Sequence, residues 1–223
     1  MYDLSQILAI DTAVDGSGVC VYDRVSGQIF DAYSDDPRGQ AQVLIPMVQD
    51  VVGQSSGDFE ALDAIIVCTG PGTFTGIRIG LSAAQTFGLV GDVPVFGISS
   101  LQGLALTAVA KGIEKEMLVI VETRRTDFYV QAFDAQGQAF DEARSVMAED
   151  IDVGGRVLIG NAAERFDADG VYEHCDVRAI DLGVVTKCFF DDRSFFTDSV
   201  SPIYLRAPDV SQPKHKNRIL SSK

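Results

Sequence analysis

Gly70-Pro71-Gly72-Thr73-Phe74-Thr75-Gly76-Ile77-Arg78-Ile79-Gly80 decides how this chain folds. Before it stands Ala64-Ile65-Ile66-Val67-Cys68-Thr69, an apolar run that reads as a buried strand. After it, Leu81 to Val90 continues the segment as a helix, so the expected order is strand, glycine-rich turn, helix Phe74–Val90. A turn of this kind at a helix N-terminus can hold an anion on its backbone N–H groups or pack tightly on another surface. Gly70, Gly72 and Thr73 are its candidate anion-binding positions.

The helix carries Gly76, Gly80, Ala84 and Gly88 at strict four-residue spacing. Residues four apart share a face, so one side of this helix is a smooth stripe. Each glycine costs about 1 kcal/mol relative to alanine inside a helix. Close approach of another backbone is the expected return, either from the chain's own sheet or from a partner subunit. Membrane pairing uses the same spacing, but Arg78 and Gln85 interrupt this segment and it is too short to span.

A second helix is expected over Arg38–Val52, with Ala41, Leu44, Ile45, Met47, Val48, Val51 and Val52 apolar. Leu44, Val48 and Val51 form one face, and Ile45 and Val52 widen it beyond a single core-facing stripe. Pro46 predicts a kink, or a helix that starts later. Surplus apolar surface on two neighbouring helices is what a helical-bundle interface requires, and self-packing is the competing account.

Composition bounds the function. The chain has 223 residues, 46% of them hydrophobic, enough for a sizeable core. No apolar run reaches membrane length, and Met1 to Gln6 is too short and polar for a secretory signal. Cys20, Cys68, Cys175 and Cys188 show no C-x-x-C spacing, which fits a reduced cytoplasm without disulfides or a zinc site. Net charge is −14, and Ser211–Lys223 holds four basic and no acidic residues, leaving −18 on residues 1–210. Such a body repels phosphate backbones and does not bind nucleic acid alone.

An internal echo sets the architecture. Leu8-Ala9-Ile10-Asp11-Thr12 leads through a turn to Val19-Cys20-Val21-Tyr22-Asp23, and Leu118 to Thr123 leads through a turn to Phe128–Asp134. Both read as strand, acid-Thr, turn, strand, Asp: two hairpins about a hundred residues apart, one lobe duplicated. Strand Val93–Ile98 and a helix near Leu101–Ala110, with Ser99 and Gln102 as a capping box, precede the second hairpin. A strand at Val157–Ile159 and a helix near Leu182–Phe190 follow it, while Val171–Ala179 stays unassigned. The result is an α/β chain with a mixed sheet in each lobe.

ILAIDT at 7–12, PRGQAQVLIPMV at 37–48, GPGTFTGIRIG at 70–80 and SPIYLR at 201–206 occur in an order that resembles the bacterial TsaB (YeaZ) family. The resemblance implies an actin-like, sugar-kinase and Hsp70-type (ASKHA) fold of two duplicated lobes. It divides the chain into a first lobe at 1–103, a second at 104–200 and a C-terminal extension at 201–223. It further implies a cytoplasmic, non-catalytic subunit in the synthesis of threonylcarbamoyladenosine beside the tRNA anticodon. Such a subunit pairs with a catalytic paralogue, TsaD, works with a small ATPase, TsaE, and meets tRNA only through the complex. Contact would run through the two helices named above, giving Leu44, Val48, Val51, Gly76, Arg78, Gly80, Ala84 and Gly88 as interface residues, and a homodimer when the partner is absent.

The same resemblance assigns no catalytic residue. The paralogues hold a metal through H-x-x-x-H on the helix equivalent to Arg38–Val52, which here has no histidine and shows Gln40 near that position. Asp11, Thr12 and Glu122 become degenerate cleft positions, since Ala13-Val14 replaces the tight Asp-x-Gly-Thr turn of active kinases. ATP and metal are then expected on the partners or at their interface, with no cofactor of the chain's own. The alternative is a working phosphotransferase of the sugar-kinase type. A dinucleotide site fits poorly, because no acid ends the next strand and no lysine completes a Walker loop. A peptidase lacks its elbow and metal pair. On the interface reading, Gly80→Leu should abolish pairing and leave the chain folded.

Overall fold

The computed structural model describes residues 4–206 apart from 15, 37, 38, 56, 124 and 168. The basic tail from Ser211, with His215, and Arg38 lie outside the described residues. Three strands open the chain: β1 (Gln6–Asp11), β2 (Ser17–Asp23) and β3 (Gln28–Ser34). They are followed by α1 (Gln40–Ser55), β4 (Ala64–Cys68), α2 (Phe74–Gly91), β5 (Val95–Ile98) and α3 (Ser100–Ala110). A second run holds β6 (Met117–Glu122), β7 (Asp127–Phe133), β8 (Arg144–Met147), β9 (Val157–Ile159), the short α4 (Ala163–Phe166) and α5 (Leu182–Asp191).

The two sheets repeat one topology. In the first the order is β3-β2-β1-β4-β5, and in the second β8-β7-β6-β9. Each begins as an antiparallel meander and then adds a parallel strand, β4 or β9, beside the meander's first strand. The duplicated α/β lobes expected of the actin-like fold are present. Edge strands β3 and β8 were not expected, because half-exposed edge segments such as Gln28–Ser34 lack a long apolar run. Segment 171–179 contributes one parallel bridge, His174 beside Leu158.

Central strands are apolar throughout because helices cover both faces. Along β1 and β2 the pairs Ile10↔Val19 and Asp11↔Gly18 point to opposite sides. α2 covers the Ile10 side, where Gly80 faces Thr12, Val67 and Ile10. α5 covers the other, where Gly18 meets Leu182 and Cys20 bonds the Thr186 side chain. Burial, then the charge of Asp31, pushes the Cys20 thiol up to about 12, so it is a neutral core residue. Cys68, also buried, behaves likewise.

The lobes interlock. α5 belongs to the C-terminal half yet packs on β1, β2 and β3. α3 leaves the first sheet and packs on β6, β7 and β9. A boundary at 103/104 therefore falls inside an unbroken helix, and the lobes are not sequential blocks. The expected capping box is not formed: Ser99 is the N-cap without a side-chain bond, and Gln102 Nε2 donates to Gly137 O at 2.6 Å instead. α1 runs through Pro46 from Gln40 to Ser55.

The small-residue stripe is an internal contact, which corrects its reading as a partner surface. Gly76, Gly80, Ala84 and Gly88 are all buried against the chain's own strands and first turn. A Cβ at Gly76 would collide with the Thr12 carbonyl, and one at Gly88 with Val95. Leu44, Val48 and Val51 are likewise core, each no more than 1% exposed. Four-residue spacing identifies a face; it does not say what the face meets. At Gly80 a Cβ would lie 2.6 Å from Thr12 Oγ1, so a leucine there overpacks the core. Gly80→Leu is accordingly expected to lower the thermal midpoint by about 4 °C or more, whereas Ser82→Leu on the exposed side shifts it by about 1 °C or less. Equal midpoints in thermal unfolding would return the stripe to the surface.

Candidate functional site

Three neighbourhoods hold the residues singled out by the sequence. In the first turn, Asp11 is buried and its Oδ1 accepts from Ala13 N–H at 2.8 Å. Thr12 Oγ1 donates to Gly76 O at 2.6 Å, fixing the turn to the first turn of α2. Thr73 N–H donates to Ala13 O at 2.8 Å, and Gly72 lies so close to that carbonyl that no side chain fits. Gln40 closes the other side, its Nε2 donating to Thr12 O at 2.9 Å and Gly16 O at 2.5 Å. Thr73 also caps α2 through Gly76 N–H at 3.2 Å. The glycine loop, offered as an anion cradle, spends its Thr73 donor on the first hairpin turn. Gly70 stands at φ +98 and its carbonyl accepts from Ser100 N–H at 2.8 Å, joining the loop to α3.

In the second turn, Glu122 is exposed and ion-pairs with Arg165 of α4, while its N–H donates to Asn161 Oδ1 at 2.9 Å. Asp11 and Glu122 thus sit in unlike surroundings, one sealed beside Cys68 and one bound to a guanidinium. The buried acid of the second turn is Asp127, which the sequence reading did not select. Its carboxylate accepts from Ser145 Oγ at 2.5 Å, Thr123 Oγ1 at 3.0 Å and Arg206 Nη1 at 2.8 Å. Burial alone would raise its pKa; the hydrogen bonds from Ser145 and Thr123, with the Arg206 charge, outweigh burial and hold it below the ordinary 3.8.

The third neighbourhood is the outward side of α1 and α2. Between them opens a groove of about 590 Å³, lined chiefly by Ile45, Phe74, Arg78, Ile79, Ala83 and Phe87. Ile45 and Phe74 are 41% and 39% exposed, large apolar side chains held open to solvent. Of the eight residues expected at an interface, two line the groove: Leu44, itself buried, and Arg78, which is exposed. The expected helices therefore carry the groove, on positions offset from the stripe. Ile45 was legible as surplus apolar surface on α1; Phe74, Ile79 and Phe87 were masked by the adjacent glycine pattern.

Among the described residues no cluster of three or more His, Cys, Asp or Glu is placed to hold a metal ion. His174 lies 3.6 Å from Asp167 on the second lobe. Among the described residues no helix is long and apolar enough to cross a membrane.

Residues 37–201 match the family model described as TsaD: tRNA N6-adenosine threonylcarbamoyltransferase. The tRNA threonylcarbamoyladenosine biosynthesis protein TsaB of Escherichia coli is 33% identical over 124 residues, 56% of this chain and 53% of that protein. The chain belongs to the TsaD family, in its TsaB (YeaZ) branch. It spans just over half the length of the TsaB-named relatives it matches first. An uncharacterised protein of Mycobacterium tuberculosis is 27% identical over 93% of this chain and 94% of its own. YeaZ from Pseudomonas aeruginosa has the same fold, with a TM-score of 0.74 at 22% identity over 90% of this chain and 100% of that one.

Asp127 gives a pH signature. A carboxylate whose folded pKa is depressed stabilises the fold above its unfolded pKa, and that contribution is lost as the pH falls through the folded value. Asp127→Asn is expected to be less stable than the parent at pH 7, with the difference shrinking as the pH drops below about 4. Denaturant midpoints across that range measure it; a gap that stays constant would mean that Asp127 is not held ionised by its partners.

Proposed function

We propose that this chain is a non-catalytic, cytoplasmic subunit in the biosynthesis of threonylcarbamoyladenosine in tRNA, and that it docks the catalytic paralogue TsaD on the α1/α2 groove. The observation that carries the reading is the open apolar groove on the outer side of the two helices that the family resemblance assigns to partner contact. A groove between two helices accepts a third helix by ridge-into-groove packing. In a homodimer the same face would meet its own copy across a two-fold axis. TsaE joins the assembly, and tRNA is met through the complex.

The first turn supports a non-catalytic role. A phosphate-binding turn must present its polar groups to the nucleotide. Here the Thr12 hydroxyl donates to Gly76 O and the Ala13 N–H to Asp11 Oδ1, so these donors of the turn are spent inside the chain. These residues fit a nucleotide poorly, so ATP and metal are assigned to the partner subunits or their interface.

The test is Ile45→Glu, which places a carboxylate inside the groove at a position already partly solvated. Light-scattering chromatography with TsaD of the same organism should show a one-to-one complex for the parent, and binding weaker by about 100-fold for the variant. tRNA modification should require the mixture with TsaE and fail with the variant. Turnover of ATP or a small substrate by this chain alone would favour the phosphotransferase instead.

A further inference from the structure

Behind Phe74 and Arg78, which line the groove, lies a segment that belongs to neither helix. The segment 201–206 crosses from the first sheet to the second and is anchored on both. Ile203 N–H donates to Thr69 O at 2.8 Å, and Arg206 Nη1 reaches Asp127 at 2.8 Å. Further upstream, Thr197 pairs with Gly97 in both directions, and Val200 O accepts from Gln85 Nε2 at 3.1 Å. Between the two anchors Tyr204 lies against the start of α2. Its ring centre is 5.2 Å from that of Phe74, and its hydroxyl accepts from Arg78 Nε at 2.9 Å.

Arg78 is thereby held in one pose. Its Cζ lies 3.8 Å from the centre of the Phe74 ring, a cation–π contact, while Tyr204 fixes the Nε edge. A guanidinium gripped at Nε still presents both terminal nitrogens, the fork that receives a carboxylate in a bidentate pair. Among the described residues no carboxylate lines the groove, and Arg78 is the one charged side chain in its lining. The rest of the molecule is strongly acidic, at −14 overall.

From this charge pattern we infer that the groove takes a partner helix whose apolar stripe ends in an Asp or Glu, and that segment 201–206 sets the register by clamping Arg78 to receive it. The inference rests on the docking reading above and gives the partner its chemistry. An acidic helix is repelled by the net charge of the chain and attracted by Arg78, so the pair selects orientation as well as identity. Immobilising the arginine before contact removes part of the ordering cost of binding. Tyr204 and Arg206 act through Arg78 as positioning residues.

The experiment titrates TsaD of the same organism against the parent, Tyr204→Phe, Arg78→Lys, Arg78→Gln and Ile45→Glu, at two salt concentrations, with thermal unfolding of each variant. Tyr204→Phe removes one hydroxyl and should weaken binding about fivefold; Arg78→Lys keeps the charge without the fork and should cost about tenfold. Arg78→Gln should weaken binding further and flatten its salt dependence, a change that a merely structural role would not produce. Parent-like affinity and salt slope in the Tyr204 and Arg78 variants, with Ile45→Glu inactive, would overturn the clamp and leave the docking face standing. Parent-like binding by Ile45→Glu, or no binding by the parent, would overturn both.

Discussion

The architecture turns on the approach of the α2 backbone to the first hairpin turn. Thr12 Oγ1 donates to Gly76 O at 2.6 Å, and the Thr12 carbonyl occupies the space where a Cβ at Gly76 would stand. Only glycine allows this distance, which is why three glycines are tolerated in a helix that each of them weakens by about 1 kcal/mol. The contact does two things at once. It binds the hairpin turn to the helix, and it turns the stripe inward so that Phe74, Arg78 and Ser82 face out. The groove is a consequence of the buried side of its own helix.

Much of this was legible in the sequence because it is local. Apolar runs marked β1, β4, β6 and β9, and the acid-Thr echo marked two hairpins that prove to head identical meanders. The direction of the stripe was not legible. Spacing defines which residues share a face, whereas the identity of the neighbour depends on Thr12, 64 residues away. The Ser99 and Gln102 pairing failed for a related reason: Gly137 O, supplied by a turn of the second lobe, gives the glutamine a better partner than its own helix terminus. Asp127 was hidden in the same way, since Ser145 and Arg206 reach it from 18 and 79 residues away.

The first turn shows how an actin-like frame can hold its first hairpin turn against its own helices. Gln40 is buried at the head of α1 and donates to two carbonyls of the turn, a task that uses both amide hydrogens and leaves no room for a metal ligand there. Four residues on, where one more ligand would share the face, stands the core leucine Leu44. The same helix face thus seals the turn and builds the core. The turn is thereby tied to α1, α2 and the glycine loop, and the groove opens between the two helices it joins.

Interlocking ties the two lobes together as well. α5 returns to cover the first sheet, α3 passes to the second, and segment 201–206 bonds Thr69 at one end and Asp127 at the other. In a two-lobed fold that works by closing on a ligand, cross-lobe ties of this kind oppose hinge motion. In a subunit that serves as a template for another protein they are an advantage, because a surface that does not deform loses less entropy on binding. Arg206 ties the extension to the second lobe two residues beyond Tyr204, so the pose of Arg78 on the first lobe depends on a carboxylate on the second. The groove with its arginine is therefore a property of the whole chain, and neither helix would present it alone.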